Sequence, residues 1–211
     1  MKQLSLAGTE MEHFHVCAFF DSREQEYDVL APFFREGLEQ GEKVLHIVDP
    51  NVMDEHRARL SENGIDVDHC EACGQLELTS WYGAYLDDEC RFDRERMLAT
   101  LQQVCRDAAE AGYGRVRIMG NMDWTLSNTG LERELLAYEA EVNEVLSQHR
   151  QPAICVYDTA KLSGAMMMDL LRTHPLTLVN GVVQENPFYI PASSMLAELE
   201  RRELARAGQA A

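Results

Sequence analysis

The chain has 211 residues, of which 45% are hydrophobic and 26% are charged, and this composition is typical of one soluble globular domain. The formal net charge is −17, from 19 Lys and Arg against 36 Asp and Glu, which disfavours nucleic acids and anionic membrane surfaces as direct partners. No apolar run approaches the roughly 18 residues of a membrane span. The first residues lack the apolar core of a signal peptide, so we expect a cytoplasmic protein whose six cysteines are reduced.

The first half of the chain alternates between apolar runs and amphipathic segments. Residues 1–12 are expected to be a frayed lead-in, with Asp21 or Ser22 capping the first helix and Pro32 bending it or delaying its start. In chain order, the expected elements are a strand at 13–20, a helix ending at Gly41, a strand at 44–48, a helix at 52–63, an irregular segment at 65–74, a strand at 76–80 and an aromatic loop at 81–85.

The second half continues the alternation and ends in a hairpin signal, Asn180-Gly181. The expected elements are a helix at 93–111, a strand at 116–119, a helix at 129–149, a strand at 153–157, a helix starting at Asp158 or Thr159, hairpin strands at 176–179 and 182–184, and a helix at 192–207. This order predicts a three-layer α/β/α fold with a mainly parallel sheet and an antiparallel edge hairpin. We expect a single domain over residues 1–211, ordered from about 12 to 207.

Phosphate binding is disfavoured although this architecture often supports it. The loop after the first strand, residues 20–25, contains no glycine and no lysine, and neither common phosphate-binding motif occurs in the chain. Carboxylates at the start of the following helix would repel a phosphate group. We therefore expect neither a standard nucleotide hydrolase nor a bound cofactor.

A metal site is a weaker possibility. Cys70 and Cys73 have a zinc-like spacing and His69 precedes them, but no second pair of this kind completes a set of four ligands. An exposed loop with reduced thiols is therefore the favoured interpretation, and no metal is expected. His15 shares one face of its strand with Cys17, where it is either a binding residue or a hydrogen-bonded core histidine.

Nucleophilic catalysis has little support. Cys155 or Cys17 could pair with His15 or His174, but no local motif marks a nucleophile. We therefore expect a protein that is not an enzyme.

A small-molecule site is expected where the strands end. Met122 and Trp124 follow the strand at 116–119, and ligands of open α/β sheets bind at this carboxyl edge. Thioether and indole surfaces suit a small apolar or methylated ligand. The candidate ligand-binding residues are His15, Phe20, Asp21, Asn121, Met122, Trp124, Tyr138, Glu139, Tyr157 and Asp158.

Six motifs in the same order give the chain a resemblance to the MEDS sensory domain. They are H-V-C-A-F-F from His15, P-F-F-R-E-G-L-E-Q-G-E-K-V from Pro32, R-I-M-G-N-M-D-W from Arg117, Y-E-A from Tyr138 with Asn143, C-V-Y-D from Cys155, and His174-Pro175 with E-N-P-F-Y from Glu185. The resemblance implies a RecA-like fold without a working phosphate loop. It also implies sensing of small organic compounds, often in a chain that carries a DNA-binding or kinase output domain. The chain departs from the family pattern at Asn121, where a Glu is usual.

The leading hypothesis is a non-enzymatic sensor that passes its signal to a partner protein or kinase, or through a change of homo-oligomer. No helix-turn-helix pattern is found in residues 192–211. Binding would bias a mobile loop at 80–92 or 121–129. Two alternatives are a partner-switch interaction module without a ligand, and a degenerate nucleotide-binding or ATPase-like protein.

Overall fold

The computed structural model describes residues 4–11, 14–86, 91–127 and 131–209. A seven-stranded sheet with the order β5-β4-β6-β7-β3-β8-β9 forms its centre, and a separate two-stranded hairpin, β1-β2, precedes it. The strands are β1 Ser5–Leu6, β2 Thr9–Glu10, β3 His15–Phe20, β4 Lys43–Val48, β5 Leu76–Ser80, β6 Val116–Asn121, β7 Ala153–Asp158, β8 Leu176–Val179 and β9 Val182–Glu185. Every neighbouring pair of the large sheet is parallel except β8 and β9.

Helices cover both faces of the sheet. They are α1 Arg23–Glu39, α2 Met53–Glu62, α3 Val67–Ala72, α4 Trp81–Ala84, α5 Arg94–Glu110, α6 Glu132–His149, α7 Gly164–Thr173 and α8 Ala192–Gln209, with short 3-10 turns at Pro50–Val52 and Asp123–Ser127. The core below α1, α2 and α3 is separate from the core below α5, α6, α7 and α8. The predicted three-layer fold with an antiparallel edge hairpin is therefore confirmed. Within the described ranges, no helix is both long and apolar enough to span a membrane.

Strand alternation decides which side chains face each helical layer. Ile118 of β6 faces the α5–α8 layer, whereas Met119 faces the α1–α3 layer. The same period of two turns His15 and Cys17 of β3 toward the α5–α8 layer. The strands therefore carry the residues that matter for the site on one defined face.

The α1 helix packs closely on a buried arginine of the central strand. Arg117 is 1% exposed, and its Nε lies 2.6 Å from a Glu42 carboxylate oxygen. Its guanidinium lies 4.3 Å from the Phe33 ring centre. A Cβ atom at Gly37 would lie 2.6 Å from the Arg117 Nε, so glycine is needed where the helix crosses this side chain.

The chain start differs from the expected frayed lead-in. Residues 5–10 form the β1-β2 hairpin, whose turn places Ala7 and Gly8 at positive φ. Leu4, Leu6 and Met11 are buried in the core below α1. Alternating apolar residues around a two-residue turn explain why this segment pairs.

Three further boundaries differ from the predictions. The segment at 65–74 contains α3, because the Asp66 side chain accepts a hydrogen bond from the His69 backbone N–H and caps a short helix. The expected aromatic loop at 81–85 is largely the short helix α4. The α7 helix begins at Gly164, capped by Ser163, rather than at Asp158 or Thr159. Pro32 lies inside α1 and does not delay its start at Arg23.

Candidate functional site

Seven of the ten residues expected around one pocket lie in three neighbouring places, and Asp21, Met122 and Trp124 lie outside all three. The first is a polar crevice at the carboxyl edge of the sheet, which we call the edge crevice. The second is a cavity between the sheet and helices α5 and α6, which we call the apolar cavity. The third is the buried cluster, formed by His15, Glu139, Cys155 and His174.

The edge crevice is small and charged. Its volume is about 50 Å³, and four of the predicted residues, Phe20, Asn121, Tyr157 and Asp158, border it. Its remaining lining residues are Ser22, Arg23, Glu26, Asp123, Val156 and Lys161. Asp21 is exposed beside the crevice and does not line it.

Ion pairs occupy much of the polar surface of the edge crevice. The Lys161 Nζ lies 2.6 Å from an Asp123 carboxylate oxygen and 3.3 Å from one of Asp158. Burial raises the pKa of Glu26 to about 7, and the charge of Arg23 opposes that rise. The Ser22 hydroxyl accepts a hydrogen bond from the Gln25 backbone N–H at the start of α1. The carboxylates therefore repel a polyanion such as a triphosphate in this crevice, and the Ser22 side chain already caps the start of α1.

The apolar cavity is larger than the edge crevice and lies over a part of the sheet where the side chains are small. Its volume is about 180 Å³, and it is partly open to solvent. Small residues at Gly120, Ala153 and Cys155 form its floor on β6 and β7. A Cβ atom at Gly120 would lie 2.2 Å from the Tyr85 hydroxyl oxygen, so the ring of Tyr85 reaches the floor only because this residue is glycine.

The walls of the apolar cavity are mainly hydrocarbon and aromatic. Its other lining residues are Leu45, Ile47, Glu77, Thr79, Ala84, Tyr85, Met97, Thr100, Leu101, Val104, Ile118, Tyr138, Val142 and Ile154. Glu77 is exposed, and Thr79, Thr100 and Val104 are partly exposed. The mouth of the cavity therefore lies between β5, at the sheet edge, and α5.

Met122 and Trp124 do not line either opening. Both are at most 1% exposed, and the Trp124 ring stacks on Tyr85 with 5.2 Å between ring centres. Phe92 contacts the rings of both Trp124 and Tyr138, at 5.0 and 5.5 Å. Met122 and Trp124 are therefore core residues that pack behind the cavity wall.

The expectation of one continuous pocket is thus corrected, because strand ends direct successive side chains to opposite faces. Phe20, Asn121 and Asp158 belong to the edge crevice, and Tyr138 belongs to the apolar cavity. Tyr157 borders the crevice but directs its hydroxyl to Glu139 in the buried cluster. Their roles in ligand binding stay predictions. Of the two segments expected to be mobile, residues 87–90 and 128–130 lie outside the described residues.

The buried cluster brings four polar side chains together from β3, α6, β7 and the end of α7. All four side chains are buried, and their nearest ligand-type atoms lie within 4.8 Å of one another. One carboxylate oxygen, Glu139 Oε2, lies 3.3 Å from His15 Nε2, 3.4 Å from His174 Nε2 and 3.5 Å from Cys155 Sγ. The His15 Nε2 lies 3.3 Å from the Cys155 Sγ.

Surrounding groups fix the orientation of these side chains. The Asn143 Nδ2 donates to the backbone carbonyls of Glu139, Ala140 and Thr173, so its Oδ1 faces the His15 Nδ1 at 3.2 Å. The His174 Nδ1 lies 2.9 Å from the Leu170 carbonyl, which can only accept. Both rings therefore carry a hydrogen on Nδ1 and direct Nε2 toward Glu139. Tyr157 donates to the other Glu139 oxygen, Oε1, at 2.7 Å.

Burial and mutual charge set the protonation of the buried cluster. Burial, aided by the charge of His174, lowers the pKa of His15 to about 4. Burial alone would raise the pKa of Glu139, but contacts with His15 and His174 hold that pKa well below its ordinary value. Burial alone would lower the pKa of His174, but its contacts with Cys17, Cys155 and Glu139 raise it. Burial raises the pKa of the Cys155 thiol. Glu139 and His174 are consequently an ion pair beside a neutral His15.

Sequence reasoning identified only part of this cluster. It selected His15 and Glu139 as candidates, but considered Cys155 and His174 only as a catalytic pair. The available signal was that His15 and Cys155 fall on inward-facing strand positions, but the pairing of β3 with β7 was needed to bring them together.

The cysteine pair in α3 remains separate from other metal-binding side chains. Cys70 is buried and Cys73 is exposed at the end of that helix. Among the residues that the structure describes, the buried cluster brings three or more metal-binding side chains together. His69, Cys70 and Cys73 do not form such a group.

Comparison with known proteins connects this geometry to a sensory family. Residues 14–175 match the family model described as MEDS, the methanogen/methylotroph, DcmR sensory domain. A curated relative is the transcriptional repressor DcmR of Methylorubrum extorquens (strain DSM 6343 / CIP 106787 / DM4), which is 29% identical over 173 residues covering 80% of this chain. The match spans 61% of the repressor's own length.

A solved structure with a similar fold is the KaiC-like protein PH0186 from Pyrococcus horikoshii OT3. The TM-score is 0.57 at 15% sequence identity, and the match covers 82% of this chain and 73% of that protein. This likeness places the sheet and its helices among RecA-like folds. The family model covers most of the ordered chain, and the protein belongs to the MEDS family of sensory domains.

Proposed function

We propose that this domain is a non-enzymatic sensor that binds a small apolar organic molecule in the apolar cavity. The observation that carries the proposal is a mainly hydrocarbon cavity of about 180 Å³ in a domain of a sensory family. Apolar cavities of about 150 Å³ bind molecules the size of benzene. Small floor residues at Ala153 and Cys155 leave the space in which the molecule would lie, whereas the Tyr85 ring covers the floor at Gly120.

The lining also indicates how a ligand would be oriented. Polar side chains lie at the mouth, at Glu77, Thr79 and Thr100, whereas the inner floor ends at Cys155. An apolar molecule would enter between β5 and α5 and leave any weakly polar end near the mouth. Cys155 joins the cavity floor to the buried cluster, so a bound molecule would contact the side chain beside Glu139 and His15.

Transmission to a partner would use the helices that form the cavity wall. The α6 helix lines the cavity through Tyr138 and Val142 and also packs against α8. A shift of α6 would therefore change the outer surface formed by α8. We propose that a separate regulatory protein or kinase, or a second copy of the chain, receives this change. The DcmR relative is named a transcriptional repressor, and a role of the present chain in transcriptional regulation is part of the proposal.

A nucleotide-binding function has less support. The edge crevice lies where α/β sheets commonly hold phosphates, but its side chains include the carboxylates of Glu26, Asp123 and Asp158. The cations beside them are Arg23 and Lys161, and Lys161 is paired with two of those carboxylates. Calorimetric titration with ATP and magnesium tests this alternative, and we expect no binding.

Methionine methyl NMR provides a direct test with toluene as the probe. Met97 lines the cavity, whereas Met168 is 49% exposed on α7. Toluene should shift the Met97 methyl resonance in a saturable manner and leave the Met168 resonance unchanged. Uniform small shifts, or no shift at Met97, would contradict the proposed site and favour an interaction module without a ligand.

Two variants of α5 provide matched controls. Val104→Trp places a large ring at the mouth of the cavity, whereas Ala99→Trp places the same ring on an exposed position of the same helix. Val104→Trp should weaken toluene binding at least about tenfold, a difference of about 1.4 kcal/mol. Ala99→Trp should bind toluene as the wild type does. Equal affinity in both variants would show that the probe binds elsewhere.

A further inference from the structure

The buried cluster contains the ligand set of a transition-metal site. Two imidazoles, one carboxylate and one thiol direct ligand atoms toward the same point from four different elements. This combination of nitrogen, oxygen and sulfur ligands suits zinc and neighbouring divalent metals, and it does not suit magnesium or calcium. We propose that His15, Glu139, Cys155 and His174 bind one divalent first-row transition-metal ion, with Zn²⁺ as the best match.

The distances fit tetrahedral coordination. Bond lengths of about 2.0–2.1 Å to nitrogen and oxygen and about 2.3 Å to sulfur place neighbouring ligand atoms about 3.3–3.6 Å apart. Four of the six separations between ligand atoms are 3.3, 3.3, 3.4 and 3.5 Å, and the other two, from His174 to His15 and Cys155, are at most 4.8 Å. An ion can therefore enter with small side-chain movements.

The hydrogen bonds around the cluster match those of metal-binding histidines. His15 donates through Nδ1 to Asn143 Oδ1, and His174 donates through Nδ1 to the Leu170 carbonyl. Metal-binding histidines commonly use one ring nitrogen in this way, which leaves the other free to bind the ion. Tyr157 holds Glu139 Oε1, so Oε2 is the oxygen left for coordination. Three of the four ligands, His15, His174 and Glu139, are thus oriented by groups outside the cluster.

Charge provides a further argument. Two ring nitrogens and a sulfur surround one carboxylate oxygen in a fully buried place. A divalent ion with one carboxylate and one thiolate ligand gives a neutral centre, and a buried neutral centre avoids the cost of an unpaired charge. The metal displaces the proton of a coordinating thiol.

Cobalt spectroscopy tests this site without requiring knowledge of the organic ligand. The chelator-treated full chain is titrated with Co²⁺ and then with Zn²⁺. We expect one Co²⁺ per chain with visible bands of tetrahedral geometry, a near-ultraviolet thiolate charge-transfer band, and loss of both on adding Zn²⁺. Absence of binding, or bands of octahedral cobalt without thiolate, would overturn the proposal.

Cysteine variants locate the ion. Cys155→Ser is nearly isosteric and should remove the charge-transfer band and lower Zn²⁺ affinity at least about 100-fold. Cys105→Ser alters a buried thiol in α5, outside the cluster, and should leave both unchanged. A band that persists in Cys155→Ser, or that disappears in Cys73→Ser, would assign the metal elsewhere and contradict the inference.

X-ray absorption of the zinc-loaded wild type gives a result that does not depend on the folding of any variant. We expect a coordination shell of two histidine nitrogens, one oxygen and one sulfur. A shell with no sulfur or without histidine contradicts the proposed ligands. Toluene binding and zinc binding are measured separately, so failure of the metal site leaves the apolar cavity as proposed.

Discussion

The two faces of the sheet bury histidines in different ways. On the α1–α3 face, Tyr27, His56 and His46 form a chain of hydrogen bonds, with 2.7 Å from the Tyr27 hydroxyl to His56 Nδ1 and 2.9 Å from His56 Nε2 to His46 Nδ1. On the α5–α8 face, His15 and His174 both contact the Glu139 carboxylate. The first arrangement is linear and has neutral members, whereas the second converges on one anion.

This difference separates a structural core histidine from a candidate binding residue. Burial lowers the pKa of His56 to about 3, and the nearby charge of Arg23 acts in the same direction. His56 therefore stays neutral and satisfies its neighbours by hydrogen bonding alone. In the buried cluster, the Nε2 atoms of His15 and His174 point at the Glu139 carboxylate, which is buried away from water. Burial is shared by both groups, and only the convergence of unlike ligand atoms distinguishes them.

The largest effect is expected from removing the anion of the buried cluster. Glu139→Gln leaves His174 without its charged partner in a fully buried place, and breaking such a pair costs about 3–5 kcal/mol of unfolding free energy. Urea unfolding at pH 7 measures the change.

Glu26→Gln is the matched control on the opposite face. Glu26 is also buried, but burial raises its pKa to about 7, so a neutral amide replaces a carboxyl that is often protonated. We expect its unfolding free energy to change by less than about 1 kcal/mol. Similar losses in the two variants would show that Glu139 has no special role in its cluster.

A pair of tyrosine variants compares the same chemical change on both faces. Tyr157→Phe removes a donor to the Glu139 carboxylate and should cost about 1.5–3 kcal/mol, because hydrogen bonds to charged groups are stronger. Tyr27→Phe removes a hydroxyl beside neutral His56 that also accepts a longer, 3.2 Å hydrogen bond from the partly exposed Arg23, and it should cost about 0.5–1.5 kcal/mol. Chemical denaturation of both variants tests the order, and a larger loss for Tyr27→Phe would contradict the comparison.

The neutral histidine chain predicts acid sensitivity. The pKa of His56 is lowered in the folded state, so its contribution to stability is fully present above the unfolded value of 6.5 and is lost as pH falls toward about 3. Between pH 7 and pH 5 this contribution should fall by roughly 2 kcal/mol. Arg23 and Tyr27 of α1 and His46 of β4 are the ionisable groups around the ring.

The His56→Gln variant isolates this contribution because its amide does not titrate. Unfolding free energies of wild type and variant are compared at pH 7, 6 and 5 in one buffer series. The wild type should lose stability more steeply than the variant. Parallel curves would mean that the pKa of His56 is the same in the folded and unfolded states.

Much of the sheet was predictable because its strands are continuous apolar runs. Residues 153–157 are predicted as a strand and lie in β7, and Asn180-Gly181 predicts the hairpin of β8 and β9. Short helices were harder, since α3 has six mainly polar residues and depends on one cap at Asp66. The lead-in was missed because its strands have only two residues each.

The site was less predictable because it depends on distances between elements. The sequence placed Met122 and Trp124 after a strand, but only the positions of Tyr85 and Phe92 show that the indole is covered. The apolar cavity arises from small floor residues such as Ala153 combined with the spacing of α5 from the sheet. No local pattern encodes that spacing, and the buried cluster likewise requires four separate elements to meet.

The smallest effect is expected at the outer surface of the α5–α8 layer. Arg202 of α8 pairs with Asp169 at 2.7 and 2.8 Å and with Glu198 at 2.6 Å, but its side chain is 36% exposed. Solvent screens such pairs, so Arg202→Ala should cost at most about 1 kcal/mol, and less at high salt.

Met195→Ala removes a buried contact of the same helix and should cost about 2–5 kcal/mol. Urea unfolding at low and high salt compares the variants. If Arg202→Ala were the more damaging, ion pairs rather than apolar packing would hold α8 against the cavity layer, and the proposed route from α6 to the surface would require revision.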